Sequence, residues 1–322
     1  MSRLRVGLLS NPTAASGAAQ RVGRQVAYLL HLAGLSVVDL SGPSAHVARA
    51  RVEEVRDTLT ALVVVGGDGT VALGAELVAG TGVRLGVVPA GSGNDFARAL
   101  GLPVGDPPQA VRVLLHALSR PVTTIDAIEV TSGPEAPIPH RSLAIGNLSL
   151  GFDALVNARA NSARFGTRTR YTTAVLRELP AFRPIPYWME IDGQERIDVN
   201  ASLLTLCNSG SFGGGMQIAP QAVLDDGLLD LVSLRGISRT ELLRFLPRVY
   251  QGTHVSHPGF RVQRVRSITV GVHGSRQIRS YADGEPRALL PVTARVLPGA
   301  VRILGAHTRE TEGATNPAGG AR

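Results

Sequence analysis

The chain has 322 residues, of which 44% are hydrophobic and 18% charged, and its formal net charge is +8. This composition is typical of a globular protein long enough for two domains. No apolar run approaches the ~20 residues that a membrane-spanning helix needs. Cys207 is the only cysteine, which excludes an intrachain disulfide. The N-terminal residues lack the apolar core of a signal peptide, so we expect a cytoplasmic location.

The positive charge is carried by arginine alone, because the sequence contains no lysine. Any mechanism that needs a catalytic or phosphate-binding lysine is therefore excluded. The arginines are scattered and aromatic residues make up only 4% of the chain, so the sequence offers no platform on which bases could stack. We therefore do not expect a nucleic-acid partner.

The first third of the sequence alternates between strand and helix patterns, with short loops between them. Apolar strand patterns cover residues 4–9, 35–40, 62–65 and 85–88, and helical patterns cover 22–30, 47–59, 71–78, 95–100 and a segment that begins at 107. Such alternation predicts a mostly parallel sheet with helices on both faces. Residues 1–125 are thus predicted to form a doubly wound α/β nucleotide-binding domain.

After residue 125 the pattern changes to one dominated by strands. Strands are predicted at 125–130, 142–145, 187–191, 201–207, 228–234, 265–272 and 293–297, with a hairpin turn at Asp192-Gly193. Helices are predicted only at 172–179 and 239–249. Residues 126–297 should form a β-rich, antiparallel, sandwich-like domain. A return strand at about 298–306 should rejoin the first domain, and residues 307–322 should form a disordered tail.

The most informative motif is Gly66–Thr70, which follows a buried apolar strand and precedes a helix. Amide groups at a helix N-terminus attract anions, and glycine allows a ligand to approach the backbone closely. Asp68 would repel a phosphate unless a cation lay between them. The motif therefore indicates a nucleotide phosphate together with a divalent metal ion.

Two further loops follow predicted strands of the same sheet. In Gly91–Asp95, Ser92 can donate a hydroxyl group and Asn94 can cap the following helix, although an ordinary helix start would look the same. The segment Ser10–Gly17 is the third such loop. Ligands of open α/β sheets bind beyond the carboxyl ends of the strands, so all three loops are candidates for nucleotide contacts.

The second half contains two acidic turns and one loop rich in glycine. Asp225-Asp226-Gly227 suits Mg²⁺ or Ca²⁺, and Asp283-Gly284-Glu285 suits a metal ion or a general base. Plain turns remain the alternative for both. The loop Asn208–Met216 contains four glycines and indicates either close backbone approach or a flexible loop.

Together, Gly66–Thr70, Gly91–Asp95, Asp225–Gly227 and Asp283–Glu285 have the order and spacing of the diacylglycerol-kinase-like catalytic fold. The sequence resembles the soluble bacterial lipid kinases over residues 4 to 304. The resemblance implies a two-domain kinase that uses ATP and Mg²⁺ to phosphorylate a hydroxyl group of diacylglycerol or a related lipid.

The resemblance also implies the role of individual residues. ATP would be contacted by Asn11, Pro12, Thr13, Ala14, Ala15, Ser41, Gly66, Gly67, Asp68, Gly69, Thr70, Val71, Ala72, Leu73, Gly91, Ser92, Gly93 and Asn94. The catalytic Mg²⁺ would be organised, partly through water, by Asp68, Asp95 and Asp126. A structural Mg²⁺ would be held by Asp226 with the backbone carbonyls of Val223 and Leu228. Glu285 would accept the proton of the lipid hydroxyl, with Asp283 beside it.

Three departures from the family pattern keep alternatives open. Ala72 and Leu73 stand where the family often has Asn-Glu, and Ser92 stands where it usually has threonine. The first loop is longer than the usual Asn-Pro-x-Ser-Gly. The glycine turn alone is shared with NAD kinases, so an NAD kinase is one alternative. A nucleotide- or lipid-binding regulator that has lost catalysis is the other.

A lipid substrate implies contact with a membrane surface, which we expect to be transient and on the inner face. Arg164, Arg168 and Arg170, near Phe165 and Tyr171, are the candidates for contact with anionic headgroups. A solvated helix start explains these arginines equally well. A homodimer is an open expectation.

Overall fold

The computed structural model describes residues 4–10, 18–133, 141–162, 167–179, 183–275 and 277–306. Three groups of predicted residues lie outside this part of the chain: Asn11–Ala15, the pair Arg164 and Phe165, and residues 307–322. The side chains of Arg168, Arg170 and Tyr171 also lie outside it. The chain divides into two compact units, Met1–Ile125 with Ala300–Arg322 and Asp126–Gly299.

The first unit is built from alternating strands and helices. Its elements are β1 (Arg5–Ser10), α1 (Ala18–Leu32), β2 (Ser36–Asp39), α2 (Ala45–Val55), a 3₁₀ turn (Arg56–Thr58), β3 (Ala61–Gly66), α3 (Asp68–Val78), β4 (Arg84–Pro89), α4 (Asp95–Ala99) and α5 (Pro107–Ala117). Strands β2, β1, β3 and β4 lie side by side in that order, and all pairs are parallel.

Helices cover both faces of this sheet. On one face, Val26 and Leu30 of α1 pack with Val111 and Leu114 of α5 against the apolar side chains of the strands. On the other face, α3 lies so close to β3 that a Cβ atom on Gly74 would come within 2.4 Å of the Val64 side chain. Every residue of β3 is buried, as a central parallel strand requires. The predicted doubly wound fold is confirmed.

The second unit contains most of the strands. Its elements are β5 (Thr123–Ser132), β6 (Arg141–Ala144), β7 (Asn147–Ser149), α6 (Phe152–Ser162), α7 (Thr167–Glu178), β8 (Ile185–Ile191), β9 (Ile197–Ala201), β10 (Leu203–Cys207), β11 (Leu229–Leu234), α8 (Arg239–Tyr250), a 3₁₀ turn (Thr253–Ser256), β12 (Phe260–Val265), β13 (Ser267–Val272), β14 (Arg279–Ala282), β15 (Glu285–Leu289) and β16 (Val292–Ile303).

These strands form two antiparallel layers with one core between them. One layer has the order β12-β11-β10-β7-β14-β15, and the other has the order β16-β13-β8-β9, with β5 paired to β16 and to β6. Leu148 and Leu206 from the first layer share a buried cluster with Tyr187 and Ile268 from the second. The predicted β-rich, sandwich-like domain is confirmed.

Several predicted strand boundaries are wrong where the chain changes layers. The single strand predicted at 201–207 is two strands, β9 and β10, that meet at buried Ser202. The strand predicted at 265–272 is likewise β12 and β13, with Arg266 between them. The sequence is β-prone on both sides of each layer change, because the strand that ends and the strand that begins need the same residue types. The boundary between the two strands is therefore not visible in the sequence.

Other differences concern elements without a strong sequence pattern. The predicted strand at 293–297 and the return strand predicted at about 298–306 are one strand, β16, which continues through Pro298 and Gly299. Its first residues pair with β13 in the second unit, and Arg302 and Ile303, which belong to the first unit, pair there with β4. Helix α6 and the short strands β7, β14 and β15 were not predicted. Among the residues that the structure describes, no helix is both long and apolar enough to cross a bilayer.

A buried carboxylate links three strands of the second unit. The side chain of Glu129 on β5 is only 4% exposed, and it accepts a hydrogen bond at 2.6 Å from Arg141 on β6 and another from Arg295 on β16. Burial raises the pKa of Glu129, but the hydrogen bonds and charges of the two arginines outweigh burial and hold that pKa below its ordinary value.

Replacing Glu129 with glutamine should therefore lower the free energy of unfolding at neutral pH by about 1–2 kcal/mol, since both arginines keep much of their solvent exposure. The folded-state pKa is depressed, so the carboxylate stabilises the fold fully above the ordinary glutamate pKa of about 4.3 and less as pH falls below it. Denaturant unfolding of wild type and variant at several pH values should show the two converging in acid. The exposed Glu195→Gln serves as control, and a difference independent of pH would contradict the assignment.

Candidate functional site

The two glycine turns of the first unit are packed against each other. The backbone N–H of Ala90 donates to the Gly66 carbonyl at 2.9 Å. A Cβ atom on Gly91 would lie 2.3 Å from the Cα atom of Gly67, and one on Gly66 would lie 2.5 Å from the Thr70 hydroxyl oxygen. Glycine is thus required at these positions because the two backbones and the Thr70 side chain occupy the space.

Helix α3 begins inside the first turn. Its first residue is Asp68, three residues earlier than predicted, and Gly67 occupies the N-cap position. The N-terminus of a helix carries partial positive charge, which makes it suitable for an anion. Gly69 is exposed in the first turn of this helix, while Thr70 and Ala72 are buried and Leu73 is half-buried. The predicted contacts of these residues with ATP remain predictions.

The carboxylates of Asp68 and Asp95 both lie close to Gly93. A Cβ atom on Gly93 would come within 2.6 Å of Asp68 Oδ2 and 3.9 Å of Asp95 Oδ2. Asp68 Oδ1 accepts the backbone N–H of Phe96 at 3.0 Å, and Arg98 forms an ion pair with Asp95 at 3.1 Å. Carboxylate oxygens grouped in this way are the ligands that Mg²⁺ prefers, so the donor set fits the predicted ion.

The structure corrects the role predicted for Asn94. Its side chain does not cap the following helix but closes its own turn, donating to the Gly91 carbonyl at 2.7 Å and accepting from the Gly91 N–H at 3.0 Å. Asn94 has a left-handed backbone, with φ of 54°. Asp68, from the other turn, accepts the N–H of Phe96 at the start of α4 instead. Ser92 is exposed at the tip of this turn.

Ser41 lies at the end of the neighbouring strand pair. Its hydroxyl oxygen is 2.9 Å from the hydroxyl oxygen of Ser10 and accepts the Ser10 backbone N–H at 2.9 Å. Ser41 is therefore adjacent to the last residue of β1, from which the undescribed segment 11–17 continues. The predicted ATP contact of Ser41 stays a prediction.

Asp126 opens the second unit as a buried carboxylate bound by backbone amides. Its two oxygens accept the N–H groups of Gly227 at 2.7 Å and Gly299 at 2.8 Å. Burial raises the pKa of Asp126, the two amide hydrogen bonds lower it in part, and the charge of Asp225 adds to the rise. Both oxygens thus hold backbone segments of the second unit in place, and the predicted contact of Asp126 with a metal ion stays a prediction.

The turn predicted to hold a structural Mg²⁺ contains its own hydrogen bond and ion pair. Asp226 Oδ1 accepts the backbone N–H of Leu228 at 3.0 Å, and Asp226 Oδ2 pairs with the guanidinium group of Arg264. In residues 4–306, apart from the short undescribed segments, no three histidine, cysteine, aspartate or glutamate side chains group as a metal cluster.

Asp283 is held by the backbone of another strand connection. Asp283 and Gly284 form the β14–β15 turn with positive φ angles of 50° and 81°. The two carboxylate oxygens of Asp283 accept three N–H groups at 2.9 Å, from Ile145, Gly146 and Asn147. Burial raises the pKa of Asp283, and the three amides oppose that rise.

Glu285 differs from Asp283 in its surroundings, although only Gly284 separates them. It is the first residue of β15 and is exposed. Asp283 thus anchors the turn, and the turn presents the carboxylate of Glu285 to solvent. The catalytic roles predicted for Glu285 and Asp283 remain predictions.

Asn208 is a residue whose importance the sequence did not reveal. Its side chain is fully buried and donates to the carbonyls of Asp126 at 2.9 Å and Ile145 at 2.8 Å. It therefore connects Asp126 with the segment that binds Asp283. Its position directly after strand β10, at the start of a glycine-rich loop, was the only available signal.

Comparisons with known proteins cover both units. Residues 5–127 match the family model described as the diacylglycerol kinase catalytic domain. Residues 146–305 match the model described as the YegS C-terminal NAD kinase beta sandwich-like domain.

Similar proteins extend over nearly the whole chain. A diacylglycerol kinase of Mycobacterium tuberculosis is 35% identical, covering 93% of this chain and 94% of its own length. A crystal structure of a diacylglycerol kinase from Bacillus anthracis matches with a TM-score of 0.69 at 18% identity, over 94% of this chain and 97% of that one. Yeast NADH kinase complexed with NADH shares the fold, with a TM-score of 0.56 at 12% identity over 96% of this chain and 86% of that one. The extent of the sequence match and the two consecutive domain matches show that this chain belongs to the diacylglycerol kinase family of lipid kinases.

Proposed function

We propose that the protein transfers the γ-phosphate of ATP, with Mg²⁺, to a hydroxyl group of diacylglycerol or a closely related lipid. The observation that carries the proposal is the grouping of Asp68 and Asp95 beside two glycine turns that pack so closely that Gly66 and Gly91 can carry no side chain. Phosphoryl transfer requires alignment and charge neutralisation at the phosphates more than covalent participation of the protein. A chain without lysine can meet this requirement with carboxylate-bound Mg²⁺.

In this proposal, each group of residues has a separate role. The turn Gly66–Thr70 and the start of α3 bind the phosphates through backbone amides. Asp68 and Asp95 hold Mg²⁺, with Asp126 acting through water. When bound, the ion neutralises charge that develops on the phosphate oxygens. Glu285 takes the proton from the lipid hydroxyl, and Asp283 fixes the turn that carries Glu285.

The chemistry of the substrate also defines the proposed partners. A lipid hydroxyl lies at a membrane surface, so the protein should contact that surface transiently from the cytoplasm. Anionic headgroups are the natural partners of a chain with a net charge of +8. Association into a homodimer remains part of the proposal and is measurable by light scattering of the purified protein, where a monomer at all concentrations would remove it.

An activity assay tests the proposal directly. The protein is incubated with labelled ATP, Mg²⁺ and vesicles that contain diacylglycerol, other lipid alcohols or no acceptor, and phosphorylated lipid is identified by mass. We expect product with diacylglycerol or a near relative and none after chelation. Formation of NADP from NAD would favour the NAD kinase alternative, and ATP binding without any product would favour an inactive regulator.

The same vesicles, pelleted at low and high salt, should bind the protein less at high salt.

Replacing Gly91 with alanine should weaken ATP binding at least about tenfold, since the added Cβ atom forces the two glycine turns apart. Calorimetric titration with a non-hydrolysable ATP analogue measures the loss. Gly82→Ala is the matched control, because a Cβ atom there meets nothing within 4 Å. ATP affinity unchanged in a folded Gly91→Ala variant would show that the packing of the two turns is irrelevant to binding.

Replacing Glu285 with glutamine should lower kcat by about 10²–10⁴-fold, the usual contribution of a general base. ATP affinity and thermal stability should stay close to wild type because Glu285 is exposed. Glu195→Gln removes an exposed carboxylate of the same unit and should keep full activity. A Glu285→Gln variant with near-normal turnover would rule out this residue as the base.

A further inference from the structure

The acidic turn 223–228 is already paired with a positively charged side chain of the protein, Arg264. The resemblance implies a structural Mg²⁺ bound to the Asp226 carboxylate and to the carbonyls of Val223 and Leu228. In the structure, Asp226 Oδ2 pairs with the Arg264 guanidinium, and Asp226 Oδ1 accepts the Leu228 N–H at 3.0 Å. Both oxygens of the only side-chain ligand in that set are therefore engaged.

The sheet holds Arg264 in this position. Arg264 on β12 is the direct antiparallel partner of Asp230 on β11. Its Nε atom lies 4.0 Å from Asp230 Oδ1, so one guanidinium group serves two carboxylates. An arginine side chain stays protonated at every pH at which proteins are folded, and its planar group suits carboxylates well. The guanidinium group of Arg264 thus brings a positive charge to this turn.

The rest of the turn is also anchored without a metal ion. The buried Asp126 carboxylate accepts the Gly227 N–H at 2.7 Å, and the Asp126 N–H donates to the Leu224 carbonyl at 2.7 Å. A structural ion would tie this turn to the sheet. Here Asp126 ties it to β5, and Arg264 ties it to β12.

We propose that Arg264 takes the place of the structural divalent cation, so that the turn 223–228 folds without Mg²⁺. Binding of Mg²⁺ to Asp226 Oδ2 would require the guanidinium group to leave that oxygen, because two cations so close together repel each other. In this proposal the protein needs divalent cations only when it binds the nucleotide, and not to fold. The inference goes beyond the proposed function and does not depend on it, because its test involves no enzymatic activity.

Thermal unfolding without nucleotide tests the inference. Wild type should melt at the same temperature in a chelator and in millimolar Mg²⁺. Arg264→Gln leaves Asp226 and Asp230 without their cation, so it should melt lower in chelator and gain about 3 °C or more from Mg²⁺. Arg266→Gln removes an exposed arginine from the same region and should show no gain.

Two results would overturn the inference. One is a wild-type melting temperature that falls on chelation, and the other is an Arg264→Gln variant that gains nothing from Mg²⁺. If Arg264→Gln does not fold, paramagnetic resonance with Mn²⁺ on nucleotide-free wild type decides. Absence of tightly bound Mn²⁺ supports the inference, and a bound Mn²⁺ that Asp226→Asn abolishes refutes it.

Discussion

Backbone amides from distant parts of the sequence converge on a few acidic side chains, and the arrangement of loops within each unit depends on these contacts. Asp68 binds the N–H of Phe96, Asp126 binds those of Gly227 and Gly299, and Asp283 binds three consecutive amides. A buried carboxylate without donors is costly, so each of these contacts must form when the segments pack. The acidic residues thus fix loops that hydrophobic packing alone would leave undetermined.

Arginine side chains supply the positive charge that neutralises several carboxylates in this protein. Asp95, Asp226 and Glu129 are each paired with a guanidinium group. Because arginine remains charged even when partly buried, it can stay beside a carboxylate where lysine could lose its proton. The absence of lysine therefore leaves the charge balance of the fold intact.

The sequence predicted those parts of the protein that depend on local chemistry. The apolar strand before Gly66 and the glycines after it require one local geometry, and the four motifs together specify the family. The strand boundaries at Ser202 and Arg266 were not predictable, because the strand that ends and the strand that begins favour the same residue types. The contacts of Asn94, Asn208 and Arg264 were also not predictable from the sequence. The spacing of residues does not determine with which group, near or distant, a polar side chain forms a hydrogen bond or an ion pair.

Strand β16 has a consequence for the order in which the protein forms. The Gly80 N–H donates to the Ala300 carbonyl and the Leu304 N–H donates to the Leu85 carbonyl, so the parallel sheet of the first unit receives its last strand from the end of the chain. During synthesis, the first 125 residues emerge long before this strand exists. The edge of β4 must therefore stay unpaired until residues 300–304 have been made, and a ribosome that stalls in the second unit would leave an open, aggregation-prone sheet edge behind.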